Sequence, residues 1–201
     1  MVAVEAGGRP AELSAALRSI EAAFLIGVEG TTEVWLVRHA DCYDGLRDEA
    51  DPALSPRGRE QAQRLAKRLS RVHYDAIRSS PARRALETAR TVAADVEVDE
   101  RLVEVATSLD DGHFEVTESP ESAVDRMRAA VADAVASHPG GRVILVGHGV
   151  AILAYLCDIL RLEFGTLRIL PYYTSVNIVR LLGERSMVGS LADVAHLQGN
   201  P

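Results

Sequence analysis

At 201 residues, with 47% hydrophobic and 25% charged side chains, the chain has the composition of one ordinary globular domain with a sizeable core. A formal net charge of −7 argues against nucleic-acid binding by the surface as a whole, and no apolar run reaches the length of a membrane span. Cys42 and Cys157 form no metal or redox motif and are too few for a disulfide scaffold, so a reducing, cytoplasmic setting is expected.

Residues 1–9 read as a disordered lead-in. From Pro10 to about Ile26 the spacing of Leu13, Leu17, Ile20 and Phe24 predicts an amphipathic helix. Its apolar face must bury somewhere, either as a packed cap on the domain or as a dimerisation arm, so a homodimer is an open expectation. Gly27 to Thr32 then links two units: an N-terminal tail and helix over 1–32, and a domain over 33–201.

Glu33 to Val37 reads as a buried strand that ends abruptly in Arg38-His39. A polar loop from Asp41 to Leu54 follows. Ser55-Pro56 places a capping hydroxyl and a first-turn proline at the start of a helix whose buried stripe is Ala62, Leu65, Ala66 and Leu69. Tyr74 to Ser79 reads as a short strand. Ser80-Pro81 is expected to open the next helix in the same way, running to about Ala94, with a brief strand at Val96 to Val98. Arg101 to Glu118 is expected to be irregular and acidic.

Ser119-Pro120-Glu121 caps a helix ending near His138. A second buried strand, Val143 to Val146, ends in Gly147-His148-Gly149 and feeds a helix from Val150 to about Arg161. Ser175 to Leu182 and Met187 to His196 alternate like an antiparallel pair.

Strands alternating with helices predict an α/β fold: a three-layer α/β/α sandwich with a mostly parallel central sheet and one antiparallel edge strand. Right-handed crossovers would carry the strand tips to one edge, gathering Arg38, His39, Ser79, Ser80, Arg84 and His148. Two guanidiniums, Arg38 and Arg84, suit bidentate contacts to a phosphoryl group. The helix N-termini at Pro81 and Val150 would add backbone donors, and Gly149 would let the backbone approach a ligand. A neutral imidazole can attack phosphorus directly, and neighbouring arginines favour the neutral form. The second histidine can be protonated and donate to the phosphoryl oxygens. A leaving alkoxide then needs a carboxylic acid near the mouth of the pocket.

Four segments carry a resemblance. Leu36-Val37-Arg38-His39, Leu54-Ser55-Pro56-Arg57-Gly58-Arg59-Glu60-Gln61-Ala62, Ser79-Ser80-Pro81-Ala82-Arg83-Arg84-Ala85-Leu86-Glu87-Thr88-Ala89 and Val146-Gly147-His148-Gly149 together resemble the histidine phosphatase superfamily, also called phosphoglycerate mutase-like, in family order. The resemblance implies that His39 is the nucleophile that becomes phosphorylated. It implies that Arg38 and Arg84 clamp the phosphate, that His148 is the second pocket histidine, and that Gly149 lies against the phosphate. Leu102-Val103-Glu104 matches the segment in which the family carries its proton donor, so Glu104 is the candidate acid, with Asp110 and Asp111 as alternatives. No metal or organic cofactor is implied, and the partner is a phosphorylated small-molecule substrate.

Ala40, Cys42 and Gly45 depart from the family pattern, which leaves fewer side-chain donors and shifts the expected clamp toward backbone amides. The family's usual glycine-tryptophan-glutamate-glycine stretch after the acid is replaced by Val105 to Glu118. Only 14 residues separate Glu104 from Ser119, which predicts a small lid and phosphomonoester hydrolysis. Phosphoglycerate mutase-type transfer and a catalytically weak phospho-ligand or protein-binding domain are the alternatives. His73, His113 and His138 are expected at the surface.

Overall fold

A computed structural model describes residues 10–43, 51–110 and 113–198. The first strand, β1 (Thr32–Arg38), lies inside a six-stranded sheet because both its faces are apolar. Val34 and Leu36 point to one side, Trp35 and Val37 to the other. Three further strands lie parallel on one flank: β2 (Ala76–Ser79), β3 (Glu97–Val98) and, between β2 and β1, β6 (Arg142–Gly147). On the other flank β7 (Val176–Leu182) runs antiparallel to β1 and turns into the edge strand β8 (Arg185–Asp193), giving the order β3-β2-β6-β1-β7-β8.

Helices cover both faces. α4 (Pro120–Ser137) and α5 (Gly149–Ile159) bury Met127, Ala130, Ala134, Ile152 and Leu156 against Val34, Leu36, Val143 and Leu145. α2 (Pro56–Leu69) and α3 (Arg83–Val92) bury Leu65, Leu69, Ala85 and Ala89 against Trp35, Val37, Ile144 and Val146. The three-layer sandwich expected from the sequence is the observed architecture. Ser55 caps α2 through its side chain, which accepts from the Gly58 N–H at 2.9 Å.

Three expectations are corrected. Arg101 to Glu118 is not irregular throughout: a short turn at Glu100–Leu102 leads to an antiparallel hairpin, β4 (Thr107–Asp110) and β5 (His113–Val116). The first helix, α1 (Pro10–Ala23), does not pack as a cap: Leu17, Ile20 and Phe24 are 54%, 58% and 54% exposed. α3 begins at Arg83 rather than at Ser80-Pro81, because the Ser80 hydroxyl is used elsewhere. The lead-in over 1–9, Gly45 and Asp111 lie outside the described residues, as does the side chain of Leu13.

Candidate active site

The sheet does what the topology requires: parallel β1, β2 and β6 deliver His39, Ser80 and His148 to one edge, and α3 adds Arg84. The His39 and His148 rings stand 5.1 Å apart, centroid to centroid, in an edge-on arrangement. Both are buried, at 5% and 1% exposure. His39 Nδ1 lies 2.7 Å from the Ala40 carbonyl oxygen. A carbonyl can only accept, so Nδ1 carries the proton and Nε2 keeps its lone pair. Arg84 Nε donates to that Nε2 at 3.3 Å, and Arg84 Nη2 lies 3.1 Å from His148 Nδ1. One guanidinium therefore bridges the two imidazoles. His148 donates its own Nε2–H to Ser80 Oγ at 2.9 Å.

This pattern requires both rings to be neutral. Burial pushes His39 down to about 3; the Ala40 carbonyl pulls the other way, and the Arg84 and Arg38 charges add smaller downward pushes. Burial, then neighbouring His39 and the arginines, hold His148 well below the ordinary histidine value. With no anion beside it, a cationic His148 would face Arg84 in a dry pocket, so the protonated form expected from the sequence belongs with a bound phosphoryl group.

Arg38 is held differently from Arg84. Its Nη1 donates to the Pro171 carbonyl at 2.8 Å, and its guanidinium carbon lies 4.2 Å from the Tyr173 ring centre. Its Nε is buried without a partner among the described residues. Gly149 packs directly on it: a Cβ at 149 would sit 3.1 Å from Arg38 Nε, so any larger residue would push the guanidinium away.

Glu104 is brought to the site, but to its helix rather than to its imidazoles. Oε1 accepts from the Val105 N–H and the Ala151 N–H, each at 2.9 Å, and Oε2 accepts from the Val150 N–H at 3.3 Å. The carboxylate caps the N-terminus of α5. The backbone donors expected at Val150 are therefore already used. Those expected at Pro81 are also used: Ala82 N–H donates to Ser80 Oγ, and Arg83 N–H to both Asp51 oxygens at 2.9 Å. The backbone donors at both helix starts are thus engaged within the chain.

The loop carrying Glu104 is stapled from below. Arg126 donates to the carbonyls of Arg101 and Val103 at 2.8 and 2.6 Å and pairs with Glu118, whose other contacts are the Ala106 N–H and Ser122. Asp110 contributes backbone to β4; its side chain, like that of His113, lies outside the described residues. His73 is exposed beside Asp75, and His138 is partly exposed, as expected for surface positions. Cys42 is half-buried, bridged to Leu54, its thiol pushed up by burial.

Sequence reasoning gave no role to several residues that build the pocket. Thr88 accepts from the Ala40 N–H at 2.9 Å and donates to the Arg84 carbonyl at 2.7 Å, tying the loop after His39 to the helix of Arg84. Gln61 accepts from the Asp41 N–H at 2.9 Å. Gly58 fits because any Cβ there would overlap the Asp41 carbonyl. Asp51 lies 3.7 Å from Arg84 Nη1. Thr88 and Gln61 stood inside quoted motifs, whereas Asp51 had no local signal.

A family model described as the histidine phosphatase superfamily (branch 1) matches residues 34–115 and 106–194. Phosphoserine phosphatase 1 of Hydrogenobacter thermophilus is 30% identical over 165 residues, covering 65% of this chain and 77% of that protein. Among solved structures, YhfR of Bacillus stearothermophilus aligns with a TM-score of 0.71 at 27% identity, covering 83% of this chain and 100% of its own. A phosphoserine phosphatase of Entamoeba histolytica, at 19% identity and a TM-score of 0.71 over 83% and 99% of the two chains, shares the fold.

Proposed function

The chain belongs to the histidine phosphatase superfamily, and from that premise we propose that it is a phosphomonoesterase in which His39 Nε2 attacks the phosphorus of a small phosphorylated molecule. One observation carries the reading: a single guanidinium, Arg84, faces two buried neutral imidazoles at 3.3 and 3.1 Å, and among the described residues its one carboxylate neighbour is the half-exposed Asp51. Cationic hydrogen-bond donors aimed into a dry pocket stabilise the charge of a transferring phosphoryl group.

In the resting site Arg84 Nε occupies the lone pair of the nucleophile. A phosphoryl oxygen takes over that donor and frees Nε2. The P–N bond forms as the ester P–O bond breaks, while Nδ1 keeps its proton on the Ala40 carbonyl. Glu104 turns away from the α5 N-terminus, takes a proton from solvent once it loses those N–H donors, and gives it to the leaving oxygen. Glu104 then takes a proton from water, whose oxygen displaces His39 and releases inorganic phosphate. Arg38 and Arg84 bind the equatorial oxygens, and Gly149 keeps Arg38 in reach; as Arg84 turns to the phosphoryl group, His148 takes a proton from solvent on its freed Nδ1 and donates it to an equatorial oxygen. The cycle asks for no metal, and no group of residues with metal-binding geometry occurs among the described residues.

The short hairpin after Glu104 supports hydrolysis over transfer between hydroxyls, since it leaves little to shield the intermediate from water. Phosphoserine is the first natural compound to assay, given the substrate named for the Hydrogenobacter relative. Both cysteines are free, and no described helix is long and apolar enough to cross a membrane, which supports a cytoplasmic setting. The test is turnover of an aryl phosphate at mildly acidic pH. The wild type releases phosphate, and His39→Ala loses at least about a thousandfold in kcat with the fold retained. Unchanged turnover in His39→Ala would overturn the proposal.

A further inference from the structure

Cations also gather away from the imidazoles. Along α2 and just past its end, Arg64, Lys67, Arg68 and Arg71 follow the spacing i, i+3, i+4, i+7, which puts four like charges on one helical face. With His196 they line a concave cavity of about 650 Å³, within the size range of small-molecule sites. The chain as a whole carries −7, so this concentration runs against its background.

Within the cavity the charges are unequally used. Arg68 pairs with Asp193 at 2.6 Å and donates toward His196 Nδ1 at 3.3 Å. Arg64 donates to the Leu197 carbonyl at 3.2 Å. The side chains of Lys67 and Arg71 have no hydrogen bond or ion pair among the described residues. His196 adds no positive charge: burial and Arg68 push it down to about 4, and its Nε2 is bonded to Thr174 Oγ1 at 2.9 Å. Among the described residues only Arg68 of the four pairs with a carboxylate, Asp193. Like charges at these spacings destabilise a helix, and nothing described in the chain offsets Lys67 and Arg71.

We propose that this cavity is a second anion site, separate from the imidazole pocket, that takes a small polyphosphate. Lys67 and Arg71, one turn apart on the same face, would each hold one of two neighbouring phosphoryl groups, with Arg64 and Arg68 behind them. The concave shape, the net negative charge of the chain and a lining without Phe, Tyr or Trp for base stacking favour a small ligand over a nucleic-acid strand. A nucleoside triphosphate and an inorganic polyphosphate share this chemistry.

Calorimetric titration of the full chain carrying His39→Ala and Arg84→Met, which removes the nucleophile and one clamp of the substrate pocket, separates the two sites. Tripolyphosphate is expected to bind saturably at one site. Adding Lys67→Gln and Arg71→Gln is expected to weaken it at least about tenfold, two charge-assisted contacts being lost. In the wild-type background the same pair leaves aryl phosphate turnover unchanged. Adding Arg90→Gln and Arg168→Gln instead, a charge-matched exposed pair, leaves binding unchanged. Tighter binding of ATP than of tripolyphosphate assigns the cavity to nucleotides, and equal binding assigns it to the phosphate chain alone. Absent saturation, equal weakening by both pairs, or stronger binding of a single-stranded oligonucleotide would overturn the proposal.

Discussion

Arg78 and Arg84 stand a few residues apart at the same end of the sheet's second crossover, yet their surroundings are opposite. Arg78, on β2 with its side chain 4% exposed, is answered by acids: its Nε lies 3.0 Å from Glu97 and it also pairs with Asp133. Arg84 is answered by two lone pairs on neutral rings, and its nearest carboxylate among the described residues is 3.7 Å away. Glu33, paired with both Arg142 and Arg180 at the other end of β1, repeats the first pattern. An arginine whose charge is met inside the chain holds the fold. One whose charge is left open is set for a ligand that brings the anion.

The sharpest break of this comparison exchanges the two guanidiniums for methionine in turn. Arg84→Met is expected to lower kcat/KM by about 100- to 1000-fold, the scale of losing an aligned charge donor at a developing oxyanion. Its thermal stability should stay level or rise, because an uncompensated cation leaves a buried pocket. Arg84→Lys should not rescue activity, since an ammonium cannot bridge two rings as a planar fork does. Arg78→Met should do the reverse, keeping turnover while costing roughly 1–3 kcal/mol of stability through the lost charged hydrogen bonds. Chemical denaturation and steady-state kinetics on the pair would read both effects; a shared phenotype would dissolve the distinction.

A second prediction concerns the acid. Glu104→Gln is expected to slow hydrolysis of an alkyl phosphate such as phosphoserine by about 100-fold or more, the usual contribution of a general acid. An aryl phosphate, whose leaving group departs without a proton, should be affected much less in the phosphorylation step. Asp51→Asn is the comparison, because Asp51 touches both the α3 N-terminus and Arg84. Should Asp51→Asn rather than Glu104→Gln show the leaving-group dependence, the acid sits on the other flank of the pocket.

The smallest effect is in the pH dependence of stability. His39, at about 3, and His196, at about 4, bind their protons less readily folded than unfolded, where histidine titrates near 6.5. Between those values the unfolded chain holds more protons, so stability rises with pH across that window. It is complete above about pH 6.5 and falls as the pH drops toward the folded values. Melting temperatures between about pH 7 and 4.5 should decline, and His196→Gln should flatten part of the slope. A flat profile in the parent chain would contradict the neutral-ring assignment.

Much of this site was legible in the sequence because its strands are apolar on both faces and end abruptly. Val34 to Val37 and Val143 to Val146 can only be interior parallel strands, so the tips that follow, Arg38-His39 and Gly147-His148, must share an edge. The proline-led helices were legible where the serine was free to cap, at Ser55 and Ser119. They were not at Ser80, because a hydroxyl bonded to His148 across 68 residues gives no local sign of that use. Asp51 replaces it as the partner of the Arg83 N–H, again over a distance that no periodicity reports. The β4–β5 hairpin escaped because its strands are four residues each and mixed in polarity. The exposed face of α1 escaped for the opposite reason: its apolar spacing is that of a packed helix, and nothing described covers it.

The account turns on His39 Nε2 forming a bond to phosphorus. Turnover stopped in base with a slow alkyl phosphate, followed by mass spectrometry of the peptide containing residue 39, measures this directly. A phosphoryl group on His39 that survives base, is lost in acid and is absent from His39→Ala is the predicted result. Turnover with no such adduct, or with the phosphoryl group on His148, would contradict it.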